Sequence, residues 1–200
     1  MNDCNPPEEV PEATSDASEP FDLQQYMPYL RMLASFRMRK RLRAKIGESD
    51  IVQQTMVAAV ENRDQFRGET DAEMRAWLRQ ILARKISHAD RDLHRDRRDI
   101  SREQSIDQAL QQSSMRLEQM LGDGGPTPSQ YAMRGERVLQ LAAAIERLPN
   151  DQGDAIRMHH IEGLKLTEIA EILEKSPGAI AGLMHRGMKT LKQIVSPKSL

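Results

Sequence analysis

Residues 164–195, LKLTEIAEILEKSPGAIAGLMHRGMKTLKQIV, decide the fold. Leu166, Ile169, Ala170 and Leu173 recur at helical spacing and predict a first short helix. A second helix starts at Ser176-Pro177. The serine hydroxyl can accept an orphan backbone N–H at the N-cap, and proline suits the next position because its missing N–H costs nothing there. The two helices are expected to be joined by a three-residue turn. In the second, Ile180, Met184, Gly187 and Leu191 form one apolar stripe with Leu183 at its edge, while Gly182, His185, Arg186 and Lys189 point the other way. No acidic residue follows Glu174. A short helix backing a second one with a cationic outer face is the helix-turn-helix arrangement that lays a recognition helix in the DNA major groove. An ordinary helical hairpin with a solvated basic face would share this pattern, so the rest of the chain must decide.

The composition points to an all-α protein. Only seven of 200 residues are aromatic, and Leu, Ala, Met, Arg, Gln and Glu abound without alternating β-rich runs. The net charge of −1 hides an asymmetry, because residues 1–20 hold six acidic groups and no basic one, leaving +5 on the other 180. The single cysteine, Cys4, excludes an intramolecular disulfide and a cysteine-based metal cluster, and fits a reducing, cytoplasmic setting. No run approaches 18 apolar residues, and an acidic N-terminus is the reverse of a signal peptide, so no membrane association is expected.

Residues 1–20 are proline-rich and acidic and are expected to be a disordered tail, either a solubilising leader or a competitor with DNA for basic surfaces. From residue 21 the chain mixes Phe21, Leu23, Tyr26, Tyr29, Leu30, Leu33 and Phe36 with seven Lys or Arg between Arg31 and Lys45. That basic run is either a solvated face or a phosphate-tracking one. Residues 50–64 predict an amphipathic helix with Val52, Thr55, Met56 and Ala59 inward and Asp50 near its positive end. After a polar loop around Gly68, a long helix from about Ala72 to Leu93 sets Met74, Trp77, Leu78, Ile81, Leu82 and Ala89 on its inner half. Lys85 falls inside that stripe, where it either snorkels from a core edge or faces nucleic acid. Residues 101–130 read as a partly helical linker, with Ile106, Leu110, Leu117, Met120 and Leu121 in a weak pattern broken by Gly122–Pro128. A helix over 131–148 follows, with Val138, Leu141, Ala142, Ile145 and Leu148 inward, and another over about Asp151–Glu162 ends at Gly163. His159-His160 lacks a carboxylate or cysteine at metal spacing and reads as a capping or solvated pair.

Two blocks of this chain resemble bacterial extracytoplasmic-function sigma factors. Asp50, Val52, Gln53 and Thr55, Phe66-Arg67-Gly68, Trp77-Leu78 and Ile81 are similar to the family's second region. Leu148-Pro149, Glu162-Gly163-Leu164, Glu168-Ile169-Ala170-Glu171-Ile172-Leu173, Ser176, Gly178, His185-Arg186 and Leu191 are similar to its fourth. The resemblance implies two small helical domains, 21–100 and 131–200, joined by the linker 101–130, the C-terminal one with the helix-turn-helix. It implies a protein that binds RNA polymerase core and directs it to promoters, with promoter DNA as second partner and an anti-sigma factor as a further candidate. Asp50 and Gln53 would dock on polymerase. Phe66, Arg67, Trp77 and Lys85 would handle the minus-ten element. Ser176, Gly182, His185, Arg186, Lys189 and Lys192 would meet the minus-thirty-five element. Several positions depart from the family pattern: Lys85 stands where Asn is usual and His88 where Asp is usual. Lys165 stands where a Ser or Thr N-cap is frequent, leaving Thr167 to cap a later start, and Ala181-Gly182-Leu183 replace polar and basic residues.

The competing reading is a stand-alone helix-turn-helix regulator on operator DNA, which would leave the 50–93 block and the linker without a role. An enzyme is disfavoured, since no Ser/His/Asp grouping in motif context, phosphate loop or metal-spaced cluster appears. No catalytic residue, metal or cofactor is expected.

Overall fold

The structure, a computed structural model, describes residues 22–37, 46–94, 100–122 and 128–195. The acidic tail, Phe21 and most of the basic run lie outside these residues. Eight α-helices and no strand occur among the described residues. They are α1 (Met27–Arg37), α2 (Glu48–Glu61), α3 (Asp71–His94), α4 (Ile100–Gln119), α5 (Pro128–Glu146), α6 (Asn150–Ile156), α7 (Leu166–Ile172) and α8 (Pro177–Val195). A short 3₁₀ turn, Leu23–Tyr26, precedes α1, and Arg63–Gln65 forms another after α2. The expected helix over Asp151–Glu162 divides, its second half (Arg157–Glu162) being a π-helical turn that closes on Gly163 at φ +79°.

Helices α1, α2 and α3 pack as a group around Tyr26, Tyr29, Leu30, Leu33, Ile51, Val52, Leu78 and Leu82, all fully buried. Thr55 is also buried, its hydroxyl donating to the Ile51 carbonyl at 2.8 Å so that no polar atom is stranded. The C-terminal group, α5 to α8, buries Val138, Leu141, Ala142, Ile145 and Leu148 along α5, as the periodicity predicts. Gly187 of α8 rests against Ile156 of α6, where a methyl would come within 2.5 Å of the isoleucine Cδ1.

The linker is helical over Ile100–Gln119, and it is packed rather than free. Leu110 and Leu117 of α4 are fully buried, which contributes about 2 kcal/mol each. Polar contacts do the rest. Tyr29 of α1 donates to Ser114 Oγ at 2.9 Å, and Arg75 of α3, only 5% exposed, meets Glu118 at 2.5 Å. Burial opposes the Arg75 charge, but Glu118, Tyr29 and Asp71 outweigh it and hold the guanidinium above its ordinary pKa. Helix α5 in turn lies on α1, so one continuous apolar core runs through both groups.

Candidate nucleic-acid interface

The helix pair α7–α8 is built locally. Ala155, Ile169, Ala170 and Ile180 form a small core of their own between α6, α7 and α8. Lys165 stands at the N-cap of α7, so Thr167 lies within the helix, and the Glu168 carboxylate accepts from the Lys165 N–H at 2.7 Å in place of a hydroxyl cap. The turn is four residues, Leu173–Ser176, rather than three. It needs the extra residue because Glu174 swings to φ +53°, which lets Lys175 N–H return to the Ala170 carbonyl at 2.9 Å. Ser176 caps α8 as expected, accepting from the Ala179 N–H at 3.2 Å, an interaction of about 1 kcal/mol. Its oxygen is thereby engaged, leaving the hydroxyl hydrogen to offer a ligand.

His185, Arg186, Lys189 and Lys192 are all exposed on one side of α8. An open shelf of about 540 Å³ runs beside them, lined by His185, Met188, Lys189, Lys192 and Gln193. Gly182 is half-buried under Arg186, whose Nη1 lies 3.4 Å from where a Cβ would stand. The first two turns of α8 (Pro177, Gly178, Ala179, Ala181) are exposed but carry no side-chain donor or acceptor. This is a surface rich in phosphate-seeking charge and poor in base-reading groups.

A capped helix-turn-helix with a four-residue turn and exposed basic residues from His185 to Lys192 defines a DNA-binding domain. Residues 139–191 match the family described as Sigma-70, region 4. Residues 139–191 therefore carry a sigma-70 region 4 domain, a helix-turn-helix.

The second candidate surface lies between α2 and α3. Phe66, after the Arg63–Gln65 turn, packs on Trp77 with ring centroids 5.3 Å apart and planes tilted 41°, and the Arg63 guanidinium sits 5.6 Å over the Phe66 ring. Beside them is a cleft of about 430 Å³ whose walls include Gln54, Asn62, Gln65, Trp77, Lys85 and His88. The structure thus brings Trp77 and Lys85 to one cleft, half-buried both, while Arg67 is exposed outside it. Lys85 is not a core lysine: it lines a water-accessible wall. Gln54, Asn62, Gln65 and Arg84 also line the cleft and are not singled out by the sequence, and His88, which departs from the family pattern, joins them. The signal was present, since Trp77, Ile81, Arg84/Lys85 and His88 follow the i, i+4, i+7/8, i+11 rule for one face of α3. The 66–70 loop is anchored by Glu73, which accepts from the Thr70 hydroxyl and from the Glu69 and Thr70 N–H groups. These bonds, the Thr70 hydroxyl first, hold the Glu73 carboxyl below its usual pKa.

Asp50 and Gln53 are exposed one turn apart on α2, with Val57 and Val60 exposed beside them at 54% and 64%. Asp50 has a second task, accepting from the Gly47 N–H at 3.1 Å at the start of the helix. His159 Nδ1 bonds the Leu164 carbonyl at 2.9 Å and its ring meets His160 edge-on, a capping arrangement. No group of His, Cys, Asp and Glu able to hold a metal occurs among the described residues, and none of their helices is long and apolar enough to cross a membrane.

Proposed function

We propose that this protein is a sigma factor of the extracytoplasmic-function type, which binds RNA polymerase core and directs initiation at its own promoters. The observation that carries the reading is the sigma-70 region 4 match over residues 139–191, on a helix pair whose cationic face is open. In this reading 131–200 meets the minus-thirty-five element, 21–100 docks on polymerase and handles the minus-ten element, and 101–130 connects them. Ser176, His185, Arg186, Lys189 and Lys192 approach the duplex, and Gly182 allows close backbone approach. Lys189 and Lys192 hold phosphates, while Arg186 is the best-placed base reader. Asp50 and Gln53 dock on polymerase, and the exposed valines of α2 enlarge that face. Trp77 and Lys85, with Phe66 packed on the indole and Arg67 exposed outside the cleft, receive bases of the opened strand, and the cleft amides supply hydrogen bonds to a base edge.

The test is reconstitution. Core polymerase with the purified protein should start RNA at defined positions on genomic fragments. Initiation no more specific than with core alone overturns the reading.

A further inference from the structure

The two walls of the α2–α3 cleft differ in hydrogen-bonding polarity. On the α2 side the amides are oriented by a chain of bonds. Asn62, at the end of α2, donates through Nδ2 to the Ala58 carbonyl at 2.8 Å, and a carbonyl can only accept. That bond settles which way the Asn62 amide points and leaves its Oδ1 to receive Gln65 Nε2 at 2.9 Å. Gln65 is oriented in turn, so Oε1 is the acceptor it presents. The chain runs from a helix carbonyl, through a half-buried asparagine, to an exposed glutamine on the cleft wall.

On the α3 side the wall is made of donors. Lys85 carries three N–H groups and no acceptor, and the Arg84 guanidinium, held through Nε by Glu103 at 3.3 Å, accepts nothing either. His88 adds a ring N–H. Trp77 offers a ring face on which any base can stack, so it discriminates little. Choice among bases must come from their edges. On the edge that carries N7 in a purine, guanine presents two acceptors, N7 and O6, and no donor. Adenine and cytosine each turn an amino group toward the same wall, donor against donor, and thymine gives a single acceptor beside a methyl. Guanine also carries its N2 amino group on the opposite edge, where an oriented acceptor can meet it. We infer, on the opened-strand reading of this cleft, that it selects guanine: Lys85 reads O6 and N7, Gln65 accepts from the far edge, and Asn62 is the positioning residue that orients Gln65.

Two measurements test this, one with polymerase and one without. Core polymerase carrying the full chain is offered promoters randomised in the minus-ten element. The wild type should enrich guanine over adenine about tenfold at one non-template position, the discrimination of one bidentate contact. Lys85→Asn, whose amide matches adenine N6 and N7, should move the preference at that same position to adenine. Lys85→Met keeps the stem, removes the donors and should flatten it. Asn62→Leu should weaken preference there and leave neighbouring positions alone, which a general loss of structure would not do. Without polymerase, Trp77 fluorescence of the full chain is titrated with short cytosine strands carrying one central guanine, adenine or 7-deazaguanine. The guanine strand should bind about tenfold tighter than the adenine strand, and replacing N7 by carbon should remove most of that gain. No guanine enrichment at any minus-ten position, or the same enrichment with Lys85→Asn, overturns the assignment. If the reconstituted enzyme initiates nowhere, the sigma-factor reading fails and the strands decide alone: equal affinity for guanine and adenine strands, or no quenching by either, overturns the choice of guanine.

Discussion

The two candidate DNA-facing surfaces are opposites in form. The α8 face is convex and cationic, and its shelf is open. The α2–α3 cleft is concave, walled by an indole, three amides and a few cations, and fed by a loop whose anchor is the Glu73 carboxylate. Convex charge suits a duplex, whose outside is phosphate. A concave aromatic and amide site suits a base that has left the stack. Under the proposed function, the difference assigns duplex to the convex face and an opened strand to the cleft.

The comparison breaks most visibly at Trp77. Trp77→Ala should reduce open-complex formation by about 10- to 100-fold, from the roughly 1–3 kcal/mol that a stacked base contributes, with permanganate reactivity as the readout. Trp77 is the only tryptophan, so its fluorescence should also be quenched by single-stranded minus-ten oligonucleotide and left alone by minus-thirty-five duplex. Equal quenching by both would erase the distinction.

Arg186→Ala sharpens the other side. It should relax preference at one upstream position, up to the 1–3 kcal/mol of a bidentate base contact; a selection experiment with unchanged sequence preference rejects that role. Smaller still, Lys189→Ala or Lys192→Ala should weaken binding to all duplexes alike and lower the salt slope by about one. A sharp base preference that vanishes with Lys189→Ala would show that the face reads bases after all.

The smallest effect is one of pH. Burial, and then the neighbouring His159, hold the His160 pKa below its ordinary value. The unfolded chain therefore takes up this proton at higher pH than the folded one. Stability is full above the ordinary imidazole pKa of about 6.5 and falls as pH drops below it. His160→Gln should flatten that part of the thermal-melting profile, and an identical profile would remove His160 from the account.

What could be read in advance follows from how local each feature is. Helix α8 declared itself because Ser176, Pro177 and the Ile180–Leu191 stripe are a cap and a period, both written within one helix. The four-residue turn was misjudged by one because the αL excursion of Glu174 has no glycine or asparagine to mark it. The cleft stayed hidden for the opposite reason. Its amides come from α2 and the turn after it, its indole and cations from α3, and none forms an apolar period. Helix α4 read as a tether because its hydrophobic pattern is thin. What seats it is Ser113 and Ser114, both 2% exposed, and a glutamate finding a buried arginine 43 residues away. Pattern reading assigns serine and glutamate to solvent. Asp50 is exposed, but its bond to Gly47 means that charge reversal there disturbs the helix start too. Gln53→Lys is the cleaner probe of polymerase docking, expected to weaken core affinity measured by competition.

The way α4 is seated also has a consequence for how the molecule is made. Every group that seats it on α1 and α3, from Tyr29 to Glu118, precedes residue 120. A chain leaving the ribosome N-terminus first can therefore finish that assembly before α5 has fully emerged. The later helices then emerge onto a surface already in place.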